Sequence, residues 1–385
     1  MAPVLFRSLV ATALVRPHTA QTARTQAVRS FTSSCTRAAD PPKVPVALIS
    51  KIRSARPGTP LSLARSALVA AQNDVQGALA WIAQQAAESG AKKAEKLAGR
   101  AAEQGLVAVA VLADGAGGVG VRASLVELRC ETDFVARTDE FRELAESLAR
   151  SVAYFAEPTP DSHKLVTLDT AAPSILDTPV VPAPSRVAEL AAAGDAAPQE
   201  TVKTSLASIV SRLGENIRLH RASSIALDPT TSASSPIFLA SSYLHGSKTP
   251  AAAVAADGVQ SGSLGGLLVA RLSHNKPGID KAEVKGLLRA LARQVVALPT
   301  TSVRSAAATP VAEGEASTAL YDQSLITLAP SPNFEFEAGS KVGDVLQKWS
   351  EARGVQGEDS RGLEVVELAR WELGEAQEGE AESQA

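Results

Sequence analysis

Cysteine is almost missing from this sequence of 385 residues, which contains only Cys35 and Cys130. Two cysteines are too few for a disulfide framework or for a cysteine-based zinc site. Aromatic residues are also scarce, at 4%, although 45% of the residues are hydrophobic, because much of the apolar content is alanine. We therefore expect compact helical parts and Ala/Pro-rich tracts rather than one large core.

Two further absences exclude whole classes of protein. No uninterrupted apolar run approaches the roughly eighteen residues of a membrane-spanning helix, so the sequence predicts no membrane contact. No G-x-x-x-x-G-K-[ST] motif occurs, and "GSKT" at 246–249 lacks the preceding glycine, so the chain is not predicted to be a P-loop NTPase itself.

Acidic residues are absent from residues 1–39, which carry five arginines and are rich in Ser, Thr and Ala. This composition is typical of a mitochondrial transit peptide, and "VRSFTSS" resembles a matrix-protease site cut after Phe31. The alternative is a disordered N-terminal tail. We predict import into the mitochondrial matrix. The remaining chain is more acidic than the net charge of −3 suggests, which does not favour direct nucleic-acid binding.

Helical spacing of apolar residues predicts a small three-helix bundle in residues 44–90. Its third helix is predicted to start at the cap residues Asn73 and Asp74 and to end at Gly90. A separate basic helix, ending at Gly105, is predicted to lead into the next unit.

Residues 91–227 are predicted to hold this linking helix and a first α+β unit. Two Val/Leu-rich strands flank a glycine turn, and in the second strand Val126, Leu128 and Cys130 share one face while Glu127 and Arg129 point the other way. The next helix has an apolar stripe of Phe141, Leu144, Leu148, Val152 and Phe155.

A flexible insertion is predicted at 156–200, with a short helix near 187–193, followed by a helix ended by Gly214 and a strand. Residues 237–376 are predicted to form a second α+β unit with a loose insertion at 299–317, and residues 377–385 an acidic tail. Strands followed by helices, repeated twice, predict the α+β class with two small antiparallel sheets rather than a doubly wound parallel sheet.

"GAGGVG", residues 115–120, matches the dinucleotide-binding pattern G-x-G-x-x-G. That fingerprint requires a helix and then another strand, and the residues after Gly120 already look like a strand. A glycine-rich hairpin is therefore the favoured interpretation. The alternative, a nicotinamide-dependent enzyme, requires a helix at 120–130.

Cys130 could be a nucleophile only if a histidine approached it, and its place on the Val126/Leu128 face favours a buried, unreactive thiol. The histidines that could serve as its base occur singly, without metal-ligand spacing: His163, His220, His245 and His274.

Glu131 and Asp133 could be paired carboxylates, but the favoured interpretation is the start of a helix that Thr132 or Asp133 caps. Phe134 lies seven residues before Phe141. A continuous helix would therefore bury Phe134 on the same face as Phe141. From the residues alone, a buried, structural Phe134 is the favoured interpretation, and an exposed Phe134 is the alternative.

The stretch "ELRCETDFVART", followed by an amphipathic helix, resembles the signature of the translation elongation factor Ts family. Further segments resemble the family in the same order over roughly residues 44–375. They are "ALISKIRSA" in the N-terminal helices, "RLGENIRLHRASSI", "SYLHG", "GGLLVARL", "SKVGDVLQKW" and "VELARWELGEA". The resemblance implies that 44–90 is a ubiquitin-associated-like (UBA-like) domain and that 91–227 and 237–376 are the two core subdomains.

The resemblance implies a guanine-nucleotide exchange factor whose partner is the GTPase elongation factor Tu, here the mitochondrial form. It implies no cofactor and no covalent chemistry. Carried onto this chain, Thr132, Asp133, Phe134 and Val135 would contact the GTPase near its magnesium ion, with Phe134 as an apolar wedge. Weaker contacts would come from Asn216, Arg221 and His245.

This chain departs from the family pattern at several points. His220 stands where the first residue of an arginine pair is expected, the usual glycine-methionine pair between the first two helices is missing, and the insertions at 156–200 and 299–317 have no counterpart. The main alternative function is a UBA-type protein-binding module on an unrelated scaffold, which only residues 44–90 support.

Overall fold

A computed structural model describes residues 44–375, except 57, 160–162, 193–199, 231, 233–234, 250, 274–278, 306–316, 332–333 and 356–361. The predicted transit peptide, the acidic tail at 377–385, His274 and most of the insertion predicted at 299–317 lie outside the described residues.

The described residues form α-helices and strands in the following order. The helices are α1 (Val46–Ala55), α2 (Leu61–Ala70), α3 (Val75–Leu97), α4 (Asp133–Ala136), α5 (Asp139–Tyr154), α6 (Pro173–Leu176), α7 (Pro184–Ala192), α8 (Val202–Leu213), α9 (Ala251–Asp257), α10 (Lys281–Ala297) and α11 (Val342–Arg353). The strands are β1 (Gln104–Asp114), β2 (Val121–Cys130), β3 (Val166–Leu168), β4 (Arg218–Leu227), β5 (Ile237–His245), β6 (Val259–Gly262), β7 (Leu264–Leu272) and β8 (Leu363–Glu372).

Two antiparallel sheets lie at the centre of the core, in the orders β3-β4-β2-β1-β6 and β5-β7-β8. Residues of α5 and α8 form a cluster with Val126 and Leu128 on the outer face of the first sheet. Residues of α10 and α11 do the same with Leu268 on the outer face of the second sheet. Leu125 and Leu267, from the two inner faces, share a third cluster. The core is therefore a four-layer helix–sheet–sheet–helix arrangement, and the predicted α+β class is confirmed.

Strand β2 is buried on both faces because it lies in the middle of this arrangement. Val126, Leu128 and Cys130 face the helices, as predicted. Glu127 and Arg129 alternate to the opposite face, which packs against the second sheet rather than facing water, so Glu127 has no exposed surface.

The prediction that a helix ends at Gly90 is wrong, because α3 is continuous from Val75 to Leu97. Asp74 caps its start, accepting from the Gln76 and Gly77 N–H groups. A Cβ at Gly90 would lie 1.9 Å from the Ala207 carbonyl oxygen. Gly90 thus permits the close approach of α3 and α8 and does not terminate a helix. The predicted domain boundary at 90/91 falls inside α3.

Helices α1, α2 and α3 enclose a small core of their own, which includes Ile52, Leu68 and Ile82. The continuation of α3 beyond Gly90 joins this module to α8, where Lys93 Nζ donates to the Ser211 carbonyl oxygen at 2.9 Å.

The apolar stripe predicted for the helix after β2 is largely confirmed in α5. Phe141 and Leu148 have no exposed surface and Val152 is buried. Phe155 is 45% exposed, however, because α5 ends at Tyr154 and Phe155 lies beyond the helix as its C-cap.

The insertion predicted to be flexible at 156–200 contains ordered elements. Strand β3 pairs with β4, at Val166↔Ser224, and forms one edge of the first sheet. The short helix expected near 187–193 is α7, Pro184–Ala192. Strand β6, which the periodicity did not predict, lies between β5 and β7 in sequence but pairs with β1 in the first sheet.

Candidate functional site

The predicted site lies where the chain leaves β2. Cys130 is the last residue of β2 and pairs with Gln104 at the start of β1. The chain then forms α4, a single helical turn of four residues. Thr132 caps this turn, because its Oγ1 accepts from the Val135 N–H at 3.4 Å. The helix-cap interpretation of this stretch is therefore confirmed for Thr132.

Phe134 and Val135 point in opposite directions from this turn. The Phe134 side chain is 80% exposed, whereas Val135 is buried in the cluster beneath α5. The exposed ring leaves a large apolar area that a partner outside the chain could bury. Val135, in contrast, anchors the turn to the core, so its predicted GTPase contact would have to be made through its backbone or its neighbours.

A break between two helices explains why Phe134 is not buried. Helix α4 ends at Ala136, and Thr138 starts α5 as a new cap by accepting from the Phe141 N–H at 3.3 Å. The seven-residue spacing from Phe134 to Phe141 therefore does not place the two rings on one helix face. The buried position that periodicity favoured is therefore wrong, and Phe134 is exposed.

Asp133 is half-exposed on the same turn and forms an ion pair with Arg137, 2.8 Å from Oδ2 to Nη2. Both side chains reach water, so this pair contributes little stability and can open at low cost. Together with Gln104, Glu131, Thr132 and Phe134 they line a shallow, open recess. Its geometry suits contact with another macromolecule better than enclosure of a small substrate.

The turn is attached to the loop between α8 and β4. Glu215 Oε2 accepts from the Thr132 N–H at 3.1 Å, and Glu215 Oε1 accepts from the Thr132 hydroxyl. Glu131 Oε1 accepts from the Asn216 N–H at 2.6 Å. Sequence analysis did not select Glu215; its position directly after the helix-ending Gly214 was the available signal.

The Cys130 thiol is not a nucleophile in this fold. Burial, followed by the nearby negative charge of Glu215, raises the pKa of Cys130 from 9.0 to about 12. The thiol donates a hydrogen bond to the Thr132 carbonyl oxygen at 3.2 Å. The prediction of a buried, unreactive cysteine is confirmed.

The three weaker contact candidates occupy different environments. Asn216 is 6% exposed, and its Nδ2 donates to the Arg100 carbonyl oxygen at 2.7 Å. Arg221 is 9% exposed and bonded to Glu127, with its guanidinium 4.4 Å from the Trp371 ring centre. His245 is exposed at the end of β5. Asn216 adjoins the turn Thr132–Val135, here called the signature turn, through Glu131, whereas Arg221 is hydrogen-bonded to Glu127 inside the molecule.

The glycine-rich segment forms the predicted hairpin. Gly115, Gly117, Gly118 and Gly120 have positive φ angles, and β2 starts at Val121. A Cβ at Gly115 would lie 1.8 Å from the Phe238 carbonyl oxygen. The helix at 120–130 that a dinucleotide site requires is therefore replaced by a strand, and the nicotinamide alternative is wrong.

Within the described ranges, no group of three or more His, Cys, Asp or Glu side chains is arranged to hold a metal ion. Over the same ranges, no helix is both long enough and apolar enough to cross a lipid bilayer.

Comparison with known proteins gives consistent matches. A family model described as Elongation factor TS matches residues 131–309, a segment that begins one residue before the Thr132 cap. The chain is 33% identical over 366 residues to "Elongation factor Ts, mitochondrial" of Malassezia globosa, covering 85% of this chain and 87% of that relative. The proteins of the same name from Coprinopsis cinerea and Mycosarcoma maydis are 33% and 30% identical, and cover 87% and 94% of this chain and 93% and 92% of their own lengths.

These similarities support the role of a nucleotide-exchange factor in translation elongation. The chain belongs to the elongation factor Ts family.

Proposed function

We propose that this chain binds mitochondrial elongation factor Tu in its GDP-bound form and promotes GDP release by disturbing the magnesium and phosphate site, in the mitochondrial matrix. The observation that carries the proposal is the 80% exposure of Phe134 on a turn whose backbone is fixed from below by Val135, Thr132 and Glu215. The names of the mitochondrial relatives support the compartment.

Each residue of the turn has a distinct role in this proposal. Phe134 inserts between side chains of the GTPase, and the apolar area that it buries there favours the complex. Asp133 leaves its exposed pair with Arg137 and disturbs the surroundings of the magnesium ion. Because a GTPase holds its nucleotide partly through magnesium bridging the phosphate oxygens, loss of that coordination accelerates GDP release.

Linkage makes this effect reciprocal. If the exchange factor weakens nucleotide binding by a given factor, nucleotide weakens binding of the exchange factor by the same factor. GTP can therefore displace the chain and complete the cycle. The proposed mechanism uses no cofactor.

Further contributions are proposed for three residues outside the turn. His245 is exposed and can contact a partner directly. Asn216 and Arg221 are mostly buried, so their contribution would be to hold the surrounding backbone in place. The alternative of a separable UBA-type module is less favoured, because α3 continues from that module into close contact with α8 at Gly90.

The test is the rate of GDP release from mitochondrial elongation factor Tu, measured with a fluorescent GDP analogue and with the purified chain present or absent. We expect the wild-type chain to accelerate release. The F134A variant is expected to lose most of the acceleration, while its free energy of unfolding stays within about 0.5 kcal/mol of wild type, because the ring makes few contacts within the chain.

Val119 provides a matched control. It is also an exposed apolar side chain, at 58%, but it lies in the turn at the opposite end of the β1–β2 hairpin, roughly 30 Å away at the usual rise per strand residue. V119A should retain wild-type exchange. A wild-type chain that leaves the release rate unchanged would refute the proposal, and an F134A variant with full activity would move the site elsewhere.

A further inference from the structure

The signature turn, Thr132–Val135, is hydrogen-bonded to the loop between α8 and β4. Gly214 ends α8 in the left-handed conformation, with φ of 75°, and brings Glu215 beside Thr132. Glu215 accepts two hydrogen bonds from Thr132, and the backbone of Asn216 donates one to Glu131 at 2.6 Å. Residues 131–132 and 215–216 thus exchange carboxylate hydrogen bonds in both directions.

Helix α4 needs this support because it is very short. A single helical turn of four residues cannot hold itself, since the ordering of the first turn costs more than its hydrogen bonds return. Its cap is the Thr132 hydroxyl, whose oxygen accepts from the Val135 N–H at 3.4 Å. The hydroxyl hydrogen points to Glu215 Oε1, which leaves a lone pair free to face Val135.

The direction of Phe134 therefore depends on Glu215 through two intermediate steps. Glu215 sets the orientation of Thr132, Thr132 starts α4, and α4 sets the direction in which Phe134 projects. The two oxygens of the Glu215 side chain each accept one bond, so a side chain of this length can hold both the N–H and the hydroxyl of Thr132. Glu215 itself is only half-buried, so a direct action of its charge on the partner is a competing explanation.

Building on the proposed function, we propose that Glu215 is a positioning residue for nucleotide exchange. It holds the turn Thr132–Val135 so that Phe134 meets the GTPase in one orientation, and its own charge has no part in nucleotide release.

Two substitutions of Glu215 separate the effect of side-chain length on exchange from the effect of charge. E215D keeps the charge but shortens the side chain by one methylene, so it cannot make both bonds to Thr132. E215Q removes the charge but keeps the length; its amide oxygen can accept from the Thr132 N–H, and its amide N–H can donate to the Thr132 oxygen. We expect E215D to lower the acceleration of GDP release about tenfold, and E215Q to stay within about threefold of wild type.

A double variant identifies the route of the effect. With Phe134 removed, orientation of the turn no longer matters, so E215D combined with F134A should release GDP at the same rate as F134A alone. Hydrogen exchange of the Thr132 amide should be slow in wild type and E215Q and fast in E215D. E335Q, which changes an exposed glutamate before α11, is the control and should leave exchange unchanged.

The positioning role of Glu215 is overturned if E215D retains wild-type activity or if E215Q is as impaired as E215D. It is also overturned if the losses from E215D and F134A are additive. Rates are compared per folded molecule, from circular dichroism of the same samples. If the wild-type chain fails to accelerate release at all, the proposed function fails instead, and the amide-exchange measurement still reports whether Glu215 fixes Thr132.

Discussion

Two acidic residues six positions apart form ion pairs of almost the same length but in opposite environments. Glu127, in the middle of β2, has no exposed surface and lies 2.6 Å from both Arg129 and Arg221. Asp133, just beyond the strand, lies 2.8 Å from Arg137, and both partners reach solvent. The buried pair must stay closed because separated charges in the core are costly, whereas the exposed pair is free to exchange partners.

The buried group also joins distant parts of the chain. Arg221 Nη2 donates to the Glu372 carbonyl oxygen at 3.0 Å, and Arg129 Nη2 donates to the Glu375 carbonyl oxygen at 3.2 Å. These bonds attach the end of β8, from the second sheet, to strands of the first sheet. The comparison shows that acid–arginine pairs alone do not indicate a site. Their exposure separates structural pairs from pairs available to a partner.

Removing the buried acid is the strongest test of this contrast. E127A removes the buried counter-ion of Arg129 and Arg221 and leaves Arg221 its 3.5 Å contact with Glu375, so we expect a loss of about 3–5 kcal/mol in the free energy of unfolding. Urea denaturation followed by circular dichroism measures it, with E335A as an exposed control. Exchange activity per folded molecule should be unchanged. A loss below about 1 kcal/mol would show that the buried network contributes little to stability.

Removing the exposed acid, Asp133, should slow nucleotide exchange with little change in stability, the reverse of the result expected for Glu127. D133N removes the pair with Arg137, which we expect to change the free energy of unfolding by no more than about 0.5 kcal/mol. GDP release should nevertheless slow several-fold, because the carboxylate is proposed to disturb the magnesium site. Both quantities are measured on one preparation. A D133N variant that is strongly destabilised but fully active would show that Asp133 has a structural role and does not act on the GTPase.

Cys130 lies between Glu127 and Asp133 in the sequence. Its titration should have the smallest of the three effects near neutral pH. In a Cys35→Ala background, the native thiol should resist a thiol-reactive dye at pH 8, because burial raises its pKa to about 12. Urea should make it react. The folded state keeps this proton where the unfolded chain, with a pKa of 9.0, releases it. The associated stability is therefore complete below pH 9 and declines as the pH rises toward 12. Fast labelling of the folded protein would contradict the buried geometry.

Much of the fold was predictable because its elements carry local signals. Apolar alternation predicted β1 and β2, and helical spacing with Gly214 as the end predicted α8. The stacking of the two sheets was not predictable, because Glu127 and Arg129 look like a solvent-facing set until their partners from β4 and β8 are known. Gly90 misled for a similar reason: a glycine at a helix crossing and a glycine at a helix end look alike in sequence.

The site was predictable only in part. Periodicity favoured a buried Phe134, and only the resemblance to a family reversed this in favour of the exposed position. A local signal did exist, since Thr138 followed by Asp139 and Glu140 is typical of a helix start and separates α4 from α5. Glu215 lies 83 positions from Thr132, and no local pattern joins the two.

Strand β6 limits how this protein can be divided. Residues 259–262 lie beyond the sequence boundary between the two core units, yet they cover the free edge of β1 through Val107↔Gly262 and its neighbours. A fragment that ends near residue 236 would leave β1 with an open hydrogen-bonding edge, next to apolar side chains that normally face the second sheet. Such an edge is a template for aggregation. Cutting the chain between the two core units would therefore give an aggregating fragment, and the separate function of each unit could not be measured.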